Sequence, residues 1–595
     1  MTVSKVAAFP LITCDPFFSV WSFGDTLCTP TRHWTGRPAG LKGYILTGGR
    51  KYVFMGEPEG GEALTQTLVR ISAHITEYRF ECEALSLKVG FFTPYFFDDL
   101  ATVTVPVSYI YTDVRCESGF ELHIELDGSL LGTAEPDFAC ACGDAAIFPR
   151  TQKALSESGD DCTAKWGYLH IMHENAYAGE GVIGAFTCEK TDHFTLGYDD
   201  IAAISFMGEK LMDFYRTEYA DFASLIRDYD NTFGEKSEKA RSFDEELERD
   251  LMKHGADHAL ALTLACRQSV GAHKLAHKNG KPFFISKECF SNGCGATLDV
   301  TYPSIPLYLR FAPELVRGML RPLFEFARSR YWDFGFAPHD CGQFPLLERQ
   351  VYGIDKEGKY LLEYQMPVEE CGNAIICAAA AAFEDGDRSF AEENKDLLEK
   401  WAGYLAENGY CPSNQLCTDD FAGHLDKNCN LSLKCIVALA CYGRLFGDER
   451  YASLARELAS KWVEDTRSGN ASALTFEKNG WSLKYNIVWD RIYSLGLFGR
   501  EVYDSETALY REKAGKYGTP LDSRAAYTKL DWFAWTSVMG DGEYLRFVFE
   551  KIASMIRETP DRVPLTDWYD TDSGKCVGFR NRTVVGGLFI TQLIK

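Results

Sequence analysis

The segment from Cys417 to Asn428 concentrates side chains that are suited to proton transfer. Its ionisable and amide residues, in chain order, are Asp419, Asp420, His424, Asp426, Lys427 and Asn428. Apolar stretches flank it on both sides, at 397–405 and 431–445. A polar loop between two helices that bury their faces is typical of one rim of a helical domain, where side chains can contact a substrate. The alternative is a solvated loop whose aspartates cap the next helix.

A second acidic segment, residues 365–373, lies one predicted helix pair upstream and contains Glu369 and Glu370. We predict that the two segments face each other across a pocket. Paired carboxylates can act as a protonated acid and an ionised base when their surroundings separate their pKa values. Glu370 and Asp420 are therefore the predicted acid/base pair. The other predicted catalytic residues, which would tune this pair or bind substrate, are Asp340, Glu369 and Asp419.

Further polar clusters occur between the predicted helices, and several place an acidic residue beside a tryptophan. An aromatic wall excludes water and helps to separate the pKa values of neighbouring carboxylates. Lys529, Arg491 or Arg580 would hold a carboxylate of the substrate. The full set of predicted substrate-binding residues is Glu288, Trp332, His339, Gln365, His424, Trp489, Asp490, Arg491, Lys529, Asp531, Trp532, Asp567, Trp568 and Arg580.

The motifs of other reaction classes are missing from the sequence. There is no nucleophile elbow, phosphate-binding loop, dinucleotide fingerprint or His-Glu-x-x-His motif in a supportive context. Cys289 and Cys294 have no obvious histidine partner and read as buried thiols. His339, His424 and the carboxylates are of types that bind divalent metals, but nothing in their spacing compels a site. We expect neither a metal nor a cofactor.

Composition and charge restrict the partners. Hydrophobic residues make up 46% and charged residues 25% of the 595, as in an ordinary globular protein. The net charge of −23 disfavours nucleic acid and anionic membranes. The N-terminus lacks the apolar run of a signal peptide, and no window reaches the roughly 18–20 apolar residues of a membrane span. We expect a cytoplasmic protein with reduced thiols and a small-molecule substrate, and a homo-oligomer is compatible with the sequence.

The spacing of apolar residues changes along the chain and divides it into three segments. Residues 1–240 show apolar–polar alternation and glycine turns, which predict an antiparallel β-sandwich. Residues 241–256 are charged and predict a linker. From residue 257 to 595 the period is helical, and strongly apolar helices alternate with amphipathic ones. Ten or eleven helices can be recognised, and twelve would make an (α/α)6 toroid with inner and outer rings. An α-solenoid is the alternative, and the long polar loops between the helices favour the toroid.

The chain resembles the bacterial members of the fungal-type glutaminase A family over essentially its whole length. The resemblance rests on motifs such as Asp299-Val-Thr-Tyr-Pro-Ser, Phe336-Ala-Pro-His-Asp and Leu416-Cys-Thr-Asp-Asp-Phe-Ala-Gly-His-Leu. The other motifs lie at 11–22, 31–38, 286–293, 365–373, 484–490 and 563–571. The resemblance implies a β-sandwich followed by an (α/α)6 domain, and hydrolysis of L-glutamine to L-glutamate and ammonia. Many members carry an export signal, and we expect none in this chain.

Two alternatives stay open. The (α/α)6 arrangement is also similar to inverting glycoside hydrolases, in which acid and base stand roughly 6.5–9.5 Å apart. An exo-acting glycoside hydrolase would use the same carboxylates, with Trp332, Trp489, Trp532 and Trp568 as a sugar-stacking wall. The third reading is a non-catalytic carbohydrate- or peptide-binding protein. An amino-acid substrate requires a fixed cation beside a carboxylate, whereas a sugar requires stacked aromatic rings and neutral donors.

Overall fold

The structure is a computed structural model that describes residues 1–133, 139–150 and 152–594. The chain divides into two compact units. The first comprises Met1–Gly280 and Ile556–Leu565, and the second comprises Lys281–Met555 and Thr566–Lys595. The fold is therefore a β-rich N-terminal region followed by a helical region, which confirms the predicted fold class.

The first unit is built mainly of antiparallel strands. They are β1 (Phe9–Thr13), β2 (Ser19–Ser22), β3 (Thr31–His33), β4 (Leu41–Thr47), β5 (Arg50–Met55), β6 (Glu62–Ala63), β7 (Thr65–Ile71), β8 (Ile75–Glu81), β9 (Leu85–Phe92), β10 (Val107–Cys116), β11 (Phe120–Asp127), β12 (Cys140–Cys142), β13 (Ala145–Pro149), β14 (Tyr168–Met172), β15 (Ala176–Gly179), β16 (Val182–Thr187), β17 (Thr191–Asp199), β18 (Ile204–Phe206), β19 (Glu209–Asp213) and β20 (His273–Lys278).

Two large sheets carry most of these strands. One has the order β12-β13-β14-β17-β10-β9-β8-β7 and the other β15-β16-β11-β4-β5-β6. In β11 the inward side chains Leu122, Ile124 and Leu126 are fully buried, as the period-two pattern requires. Phe54 of β5 and Phe80 of β8 lie with ring centroids 6.1 Å apart, so the two sheets face each other in a sandwich.

Among its described residues, the first unit also contains three α-helices: α1 (Phe222–Asn231), α2 (Phe233–Leu251) and α3 (Ala256–Gly271). The segment expected to be a linker, 241–256, contains the second half of α2. Helix α3 groups with the strands because it is buried against β1, and its Arg267 donates hydrogen bonds to Thr13 Oγ1 (3.2 Å) and to the carbonyl of Leu11 (3.4 Å). The division between the two units, at residue 280, thus falls later than the sequence predicts.

The second unit consists mainly of helices. They are α4 (Leu298–Phe311), α5 (Pro313–Ala327), α6 (Pro367–Asp385), α7 (Ser389–Glu393), α8 (Lys395–Asn408), α9 (Cys429–Phe446), α10 (Glu449–Thr466), α11 (Val488–Tyr493), α12 (Arg500–Lys513), α13 (Leu530–Thr536), α14 (Gly542–Glu558) and a 3₁₀ helix, Thr583–Gln592. Its short strands are β21 (Lys281–Ser286), β22 (Leu346–Leu347), β23 (Arg467–Ser468), β24 (Ala471–Ser472), β25 (Tyr527–Lys529), β26 (Trp568–Asp570) and β27 (Cys576–Gly578).

Buried and half-solvated helices alternate along the second unit. Helices α4, α6, α9, α11, α13 and the 3₁₀ helix are buried and form an inner ring, in which the short 3₁₀ turn Tyr485–Ile487 before α11 contacts both α9 and α13. The ring closes where α4 packs against the 3₁₀ helix. At this contact Ser304 Oγ donates a hydrogen bond to Thr583 Oγ1 at 2.9 Å. Gly587 permits this closure, since a Cβ there would lie 2.5 Å from the carbonyl oxygen of Pro303.

Helix α9 is long and apolar enough by composition to cross a membrane, yet 89% of it is buried inside the protein. It therefore packs as a core helix of the ring.

Large aromatic side chains fill the middle of the ring. The Tyr302 ring lies 5.1 Å from Trp535 and 6.3 Å from Trp489, and the Trp489 Nε1–H donates to Tyr302 Oη at 2.9 Å.

Candidate active site

The buried helices begin at the same end of the ring. Thr418, in the loop before α9, donates to the carbonyl of Asp299 at the start of α4, at 3.4 Å. At the start of α9, the carbonyl of Asn430 accepts from Asn486 Nδ2 at 3.0 Å, just before α11. Helix N-termini carry partial positive charge and stabilise anions. Carboxylates are therefore favoured at this rim, and the candidate site lies there.

Asp419 and Asp420 lie on the loop that precedes α9, with Asp420 opening a 3₁₀ turn over Asp420–Ala422. Asp419 is buried, and its Oδ2 accepts a hydrogen bond of 2.9 Å from Tyr485 Oη. Burial raises the pKa of Asp419 to about 7. The Asp420 side chain is exposed to solvent, although surrounding protein partly desolvates its carboxyl group. That desolvation, together with the charges of Asp299 and Glu288, raises the pKa of Asp420 to about 6.

Asp299, His339 and Glu370 form a carboxylate–histidine triad, a name used for these three residues from here on. His339 Nε2 lies 3.4 Å from Asp299 Oδ1 and 4.0 Å from Glu370 Oε1. Glu370 is completely buried, whereas Asp299 and His339 keep 7% and 6% exposure. The charges of both Asp299 and His339 also influence the pKa of Asp420, so the triad and Asp420 lie close together.

The three members of the triad shift one another's pKa values. Burial alone would lower the pKa of His339, but the carboxylates of Asp299, Asp340 and Glu370 raise it well above its usual value. Burial and then the charge of Asp299 raise the pKa of Glu370 well above the normal range. The pKa of Asp299 shifts the other way, because the positive charge of His339 lowers it despite burial. These shifts favour an imidazolium–carboxylate pair of His339 and Asp299 and favour the protonated form of Glu370.

Asp340 orients His339 from the far side of the ring. His339 Nδ1 lies 2.8 Å from Asp340 Oδ2. The same carboxylate accepts from Tyr352 Oη at 2.6 Å and from the Gly342 amide at 2.7 Å. These contacts fix the imidazole so that Nε2 faces Asp299 and Glu370, and they make Asp340 a positioning residue.

Glu369 points into the ring rather than towards Asp420. Lys434 Nζ, fully buried within α9, pairs with Glu369 Oε1 and donates to Asn373 Oδ1 at 2.7 Å. Asn373 Nδ2 in turn donates to Glu370 Oε2 at 3.0 Å. The sequence predicts Glu369 and Glu370 in a loop, but Pro367 at the helix start places both in the first turn of α6.

A second charged cluster forms from the loops before α13 and the 3₁₀ helix. Arg582 Nη2 lies 2.9 Å from Glu288 Oε1, and Arg582 Nη1 lies 3.7 Å from Asp567 Oδ2. Lys529 pairs with Asp567 and lies 3.6 Å from Asp531. Burial raises the pKa of Asp531 to about 6, although Lys529 opposes this. The antiparallel pairing of β25 with β26, which sets Lys529 opposite Trp568, builds this cluster.

Aromatic side chains collect beside Asp420. The rim aromatic cluster consists of Phe421, Tyr527, Trp568 and Phe579, all partly exposed. Ring centroids of Phe421 and Trp568 are 4.6 Å apart, and those of Trp568 and Phe579 are 5.0 Å apart. The Arg582 guanidinium lies 4.1 Å from the centroid of Phe579. The rim therefore presents both flat apolar surface and charge.

Three of the four tryptophans predicted as a stacking wall lie in the interior. Trp489 and Trp532 are fully buried, and Trp532 stacks on Tyr485 at 4.0 Å between centroids. Trp332 is 6% exposed, packs against Tyr360 and donates from Nε1 to the carbonyl of Phe336 at 2.8 Å. Trp568 alone of the four reaches the rim.

The other predicted residues have contacts away from the triad. Asp490 accepts from Tyr503 Oη at 2.6 Å, and Arg491 donates to the carbonyl of Gly540 at 2.9 Å. Gln365 is buried and donates to Gln350 at 3.1 Å. His424 is exposed on the loop that carries Asp420. The Arg580 guanidinium lies over the ring of Phe290, 3.8 Å from its centroid.

Several residues of the site are not among those predicted from the sequence. They are Asp299, Tyr352, Asn373, Lys434, Tyr485 and Arg582. Lys434 carries a signal that could have been used, since a lone lysine within the apolar run of α9 needs a buried acidic partner. Asp299 looks like an ordinary helix-start aspartate in sequence, and only the ring geometry places it against His339.

Comparison with known proteins gives three matches to family models. The glutaminase A six helical-hairpin domain matches residues 255–592. Two domains of unknown function, DUF4964 and DUF5127, match residues 4–62 and 180–250. The described inner helices and most of their outer partners lie within the first match.

Two curated relatives match nearly the whole chain. A glutaminase A of Aspergillus oryzae is 26% identical, with 99% of this chain and 96% of the relative covered. A probable glutaminase of Arthroderma benhamiae is 23% identical, with 98% and 88% covered.

Two solved structures that align with the chain at lower identity are glycosidases. A bacterial glucoamylase complexed with acarbose aligns with 99% of this chain and 93% of its own, at 8% identity and a TM-score of 0.49. A variant of a glycosidase, in complex with glucose, aligns with 56% of this chain and 97% of its own, at 11% identity and a TM-score of 0.39.

Proposed function

Because the chain belongs to the glutaminase A six helical-hairpin family, whose model matches more than half of its length, we propose that it is a hydrolase of small amides. The proposed reaction is hydrolysis of L-glutamine, or of a related amide, to the carboxylic acid and ammonia. Attack by water assisted by a carboxylate would drive it. The relatives named glutaminase support this proposal, since they match the chain from end to end.

One observation carries the mechanism: Asp420 is exposed, has a pKa of about 6, and lies beside a buried positive charge. A general base works best when its pKa is near the operating pH. Asp420 is mostly ionised at neutral pH, so it can take a proton from the attacking water. The water oxygen bonds to the amide carbon, and the C–N bond then breaks as Asp420 passes the proton to the leaving nitrogen.

The triad would stabilise the charge that develops during this attack. The imidazolium of His339 is fixed by Asp340, so it presents a positive charge without reorganising. Glu370 is too deeply buried to touch substrate and acts through His339 as a positioning residue. The predicted acid/base pair therefore divides into an exposed base, Asp420, and a buried group that tunes His339.

Recognition of an amino-acid substrate would involve the second charged cluster. Arg582 lies close enough to Asp420 for the two charges to interact, and its own pKa is raised because Asp567 and Glu288 outweigh burial. We assign Arg582 as the cation that meets the α-carboxylate of glutamine. Neighbouring Asp531 and Asp567 supply negative charge for the α-ammonium group.

An exo-acting glycoside hydrolase is the second candidate, and the rim aromatic cluster is the observation that favours it. Partly exposed Phe421 and Trp568 lie beside Asp420, where a sugar ring would stack. A free amino acid has no flat apolar surface that would use these rings. The site therefore also suits a pyranose, with Asp420 again as the base that activates water.

Parallel assays separate the two candidates. Ammonia release from glutamine and nitrophenol release from a panel of nitrophenyl glycosides are measured with the unmutated protein, Asp420→Asn and Asp426→Asn. Asp426 is the matched control, because it is an exposed aspartate on the same loop. We expect glutamine hydrolysis that falls about 100-fold or more in Asp420→Asn and is unchanged in Asp426→Asn. Full activity of Asp420→Asn contradicts the mechanism, and turnover of glycosides alone favours the second candidate.

A further inference from the structure

We infer that the carboxylate–histidine triad binds a divalent transition-metal ion of the Zn²⁺ class. The ligands would be Asp299 Oδ1, His339 Nε2 and Glu370 Oε1. Binding of the ion stands on the geometry of the triad alone. Its role in catalysis rests on the proposed function, because the ion would share the site with Asp420.

The spacing of the ligand atoms fits a single ion. All three lie within 4.8 Å of one another, and the two distances from His339 Nε2 are 3.4 and 4.0 Å. Zinc binds histidine nitrogen and carboxylate oxygen at about 2.0–2.2 Å, so two of its ligands are typically about 3–4 Å apart. The side chains need only close slightly to contact one ion.

Two ligand atoms have no hydrogen-bond donor among the described residues. Asp299 Oδ1 and Glu370 Oε1 are both buried without a hydrogen-bond partner. The second oxygen of Glu370 is satisfied by Asn373, so the unpartnered atom is the one that faces His339. Buried carboxylate oxygens without a donor are costly and uncommon. A bound cation accounts for both atoms at once.

The surroundings of His339 are those of a metal ligand. A histidine that binds metal usually donates its other ring N–H to a carboxylate, which fixes the tautomer and aims the free nitrogen at the ion. His339 Nδ1 makes this contact with Asp340, which is itself held by Tyr352 and by the Gly342 amide. The arrangement leaves Nε2 directed at Asp299 and Glu370.

Charge balance also favours the ion. With both carboxylates ionised and His339 neutral, the three ligands carry a net charge of −2 in a buried place. One divalent ion neutralises that charge, which lowers the cost of burial. One imidazole and two carboxylates suit zinc or manganese better than calcium or magnesium, which prefer all-oxygen sites.

Three protein ligands leave a coordination position for water. A zinc-bound water has its pKa lowered to about 7, which makes hydroxide available at neutral pH. Asp420 lies nearby to take the released proton. The ion would therefore supply a stronger electrophile than the imidazolium and would leave Asp420 as the base.

Metal content and cobalt spectroscopy test the inference. Full-length protein, purified without metal-affinity steps and dialysed against a chelator, is titrated with Zn²⁺ by calorimetry and with Co²⁺ by visible absorption. We expect one ion per chain for the unmutated protein and for Asp426→Asn. Binding should weaken at least tenfold in Asp299→Asn and in Glu370→Gln, as measured by both titrations. Thermal unfolding of each variant verifies that it is folded.

The outcomes separate this inference from the proposed function. No stoichiometric uptake of Zn²⁺, Mn²⁺ or Co²⁺, or uptake undiminished in a folded Asp299→Asn, overturns the metal site. Full amidase activity of the chelated protein overturns its catalytic role but leaves the proposed function intact. One bound ion without turnover of any amide or glycoside overturns the proposed function and supports the site. Asp420→Asn that keeps the Co²⁺ spectrum but loses activity supports both.

Discussion

Each unit of the protein contains a buried cluster of carboxylates around a cation, and the two clusters differ in access. In the first unit, Lys274 Nζ lies 2.8 Å from Asp15, 2.6 Å from Asp200 and 2.7 Å from Asp213. All four side chains are at most 3% exposed. We call these four residues the Lys274 cluster. In the second unit, the triad continues outward to the exposed Asp420.

The Lys274 cluster and the triad also differ in how closely their charges are paired. The three aspartates raise the pKa of Lys274 well above its usual value despite burial, so its charge is permanent. Asp15 also accepts from the Phe17 and Phe18 amides, both at 2.8 Å, which ties the cluster to the backbone. In the triad the charges are less closely paired, since His339 Nε2 lies 3.4 Å from Asp299 Oδ1 and 4.0 Å from Glu370 Oε1. A closed and tightly paired cluster holds the fold, whereas an open and loosely paired one is suited to binding and chemistry.

The largest effect is expected from Lys274→Met. Removing the cation leaves three buried aspartates uncompensated, which should lower the free energy of unfolding by about 3–5 kcal/mol. Activity per folded molecule should stay unchanged, because none of the four residues of the cluster belongs to the candidate site. Chemical denaturation followed by tryptophan fluorescence gives the stability, and kcat of the folded fraction gives the activity.

The matched control for this change is Lys42→Met, since Lys42 is 48% exposed and lies 3.9 Å from Glu59. We expect the control to alter stability by less than about 1 kcal/mol. If the two variants were equally stable, the Lys274 cluster would not hold the fold and the contrast between the clusters would fail.

The pH dependence of activity is the next effect in size. The pKa of Asp420 is raised to about 6, and a general base must be unprotonated to work. We therefore expect kcat/KM to fall about tenfold per pH unit below pH 6 and to level off above it. A pH–rate profile on the best substrate measures this, with fluorescence verifying that the protein remains folded at each pH.

Tyr485→Phe tests whether Asp420 or Asp419 causes the fall in activity at low pH, which is the acid limb of the pH–rate profile. It removes the hydrogen bond to Asp419, whose pKa is about 7, and leaves Asp420 untouched. The acid limb should therefore stay near pH 6. Movement of the limb in Tyr485→Phe would assign it to Asp419 and would remove Asp420 from the role of base.

The sequence predicts the parts of the site that depend on local order. Asp420 is recognisable because a run of polar residues separates two apolar helical stretches. The alternation of apolar and amphipathic helices predicts the ring, and the period-two strands predict the sandwich. These features depend on neighbours in the chain, which is where sequence patterns carry information.

The triad and the orientation of the tryptophans depend on distant contacts. Asp299, His339 and Glu370 come from three separate segments and meet because α4, whose first turn contains Asp299, packs against α6, whose first turn contains Glu370. An Asp-Trp or Trp-Asp pair looks the same in sequence whether the ring faces solvent, as in Trp568, or the core, as in Trp532. A shift of one residue turns a side chain by about 100° around a helix, or to the opposite face of a strand, and a propensity pattern does not resolve that phase.

The smallest effect is expected from Trp568→Ala, which compares a tryptophan at the rim with those in the interior. Trp568 is partly exposed and contacts Phe421 and Phe579, so its loss removes stacking surface without opening the core. We expect KM for a ring-containing substrate to rise about three- to tenfold, equivalent to about 1 kcal/mol of lost contact, while KM for free glutamine changes little. Steady-state kinetics on both substrates measure this.

Trp489→Ala serves as the interior counterpart, since it should reduce stability instead. Equal KM values for the ring-containing substrate before and after Trp568→Ala would show that the rim aromatic cluster does not contact substrate, and the case for a glycoside would then lose its main support.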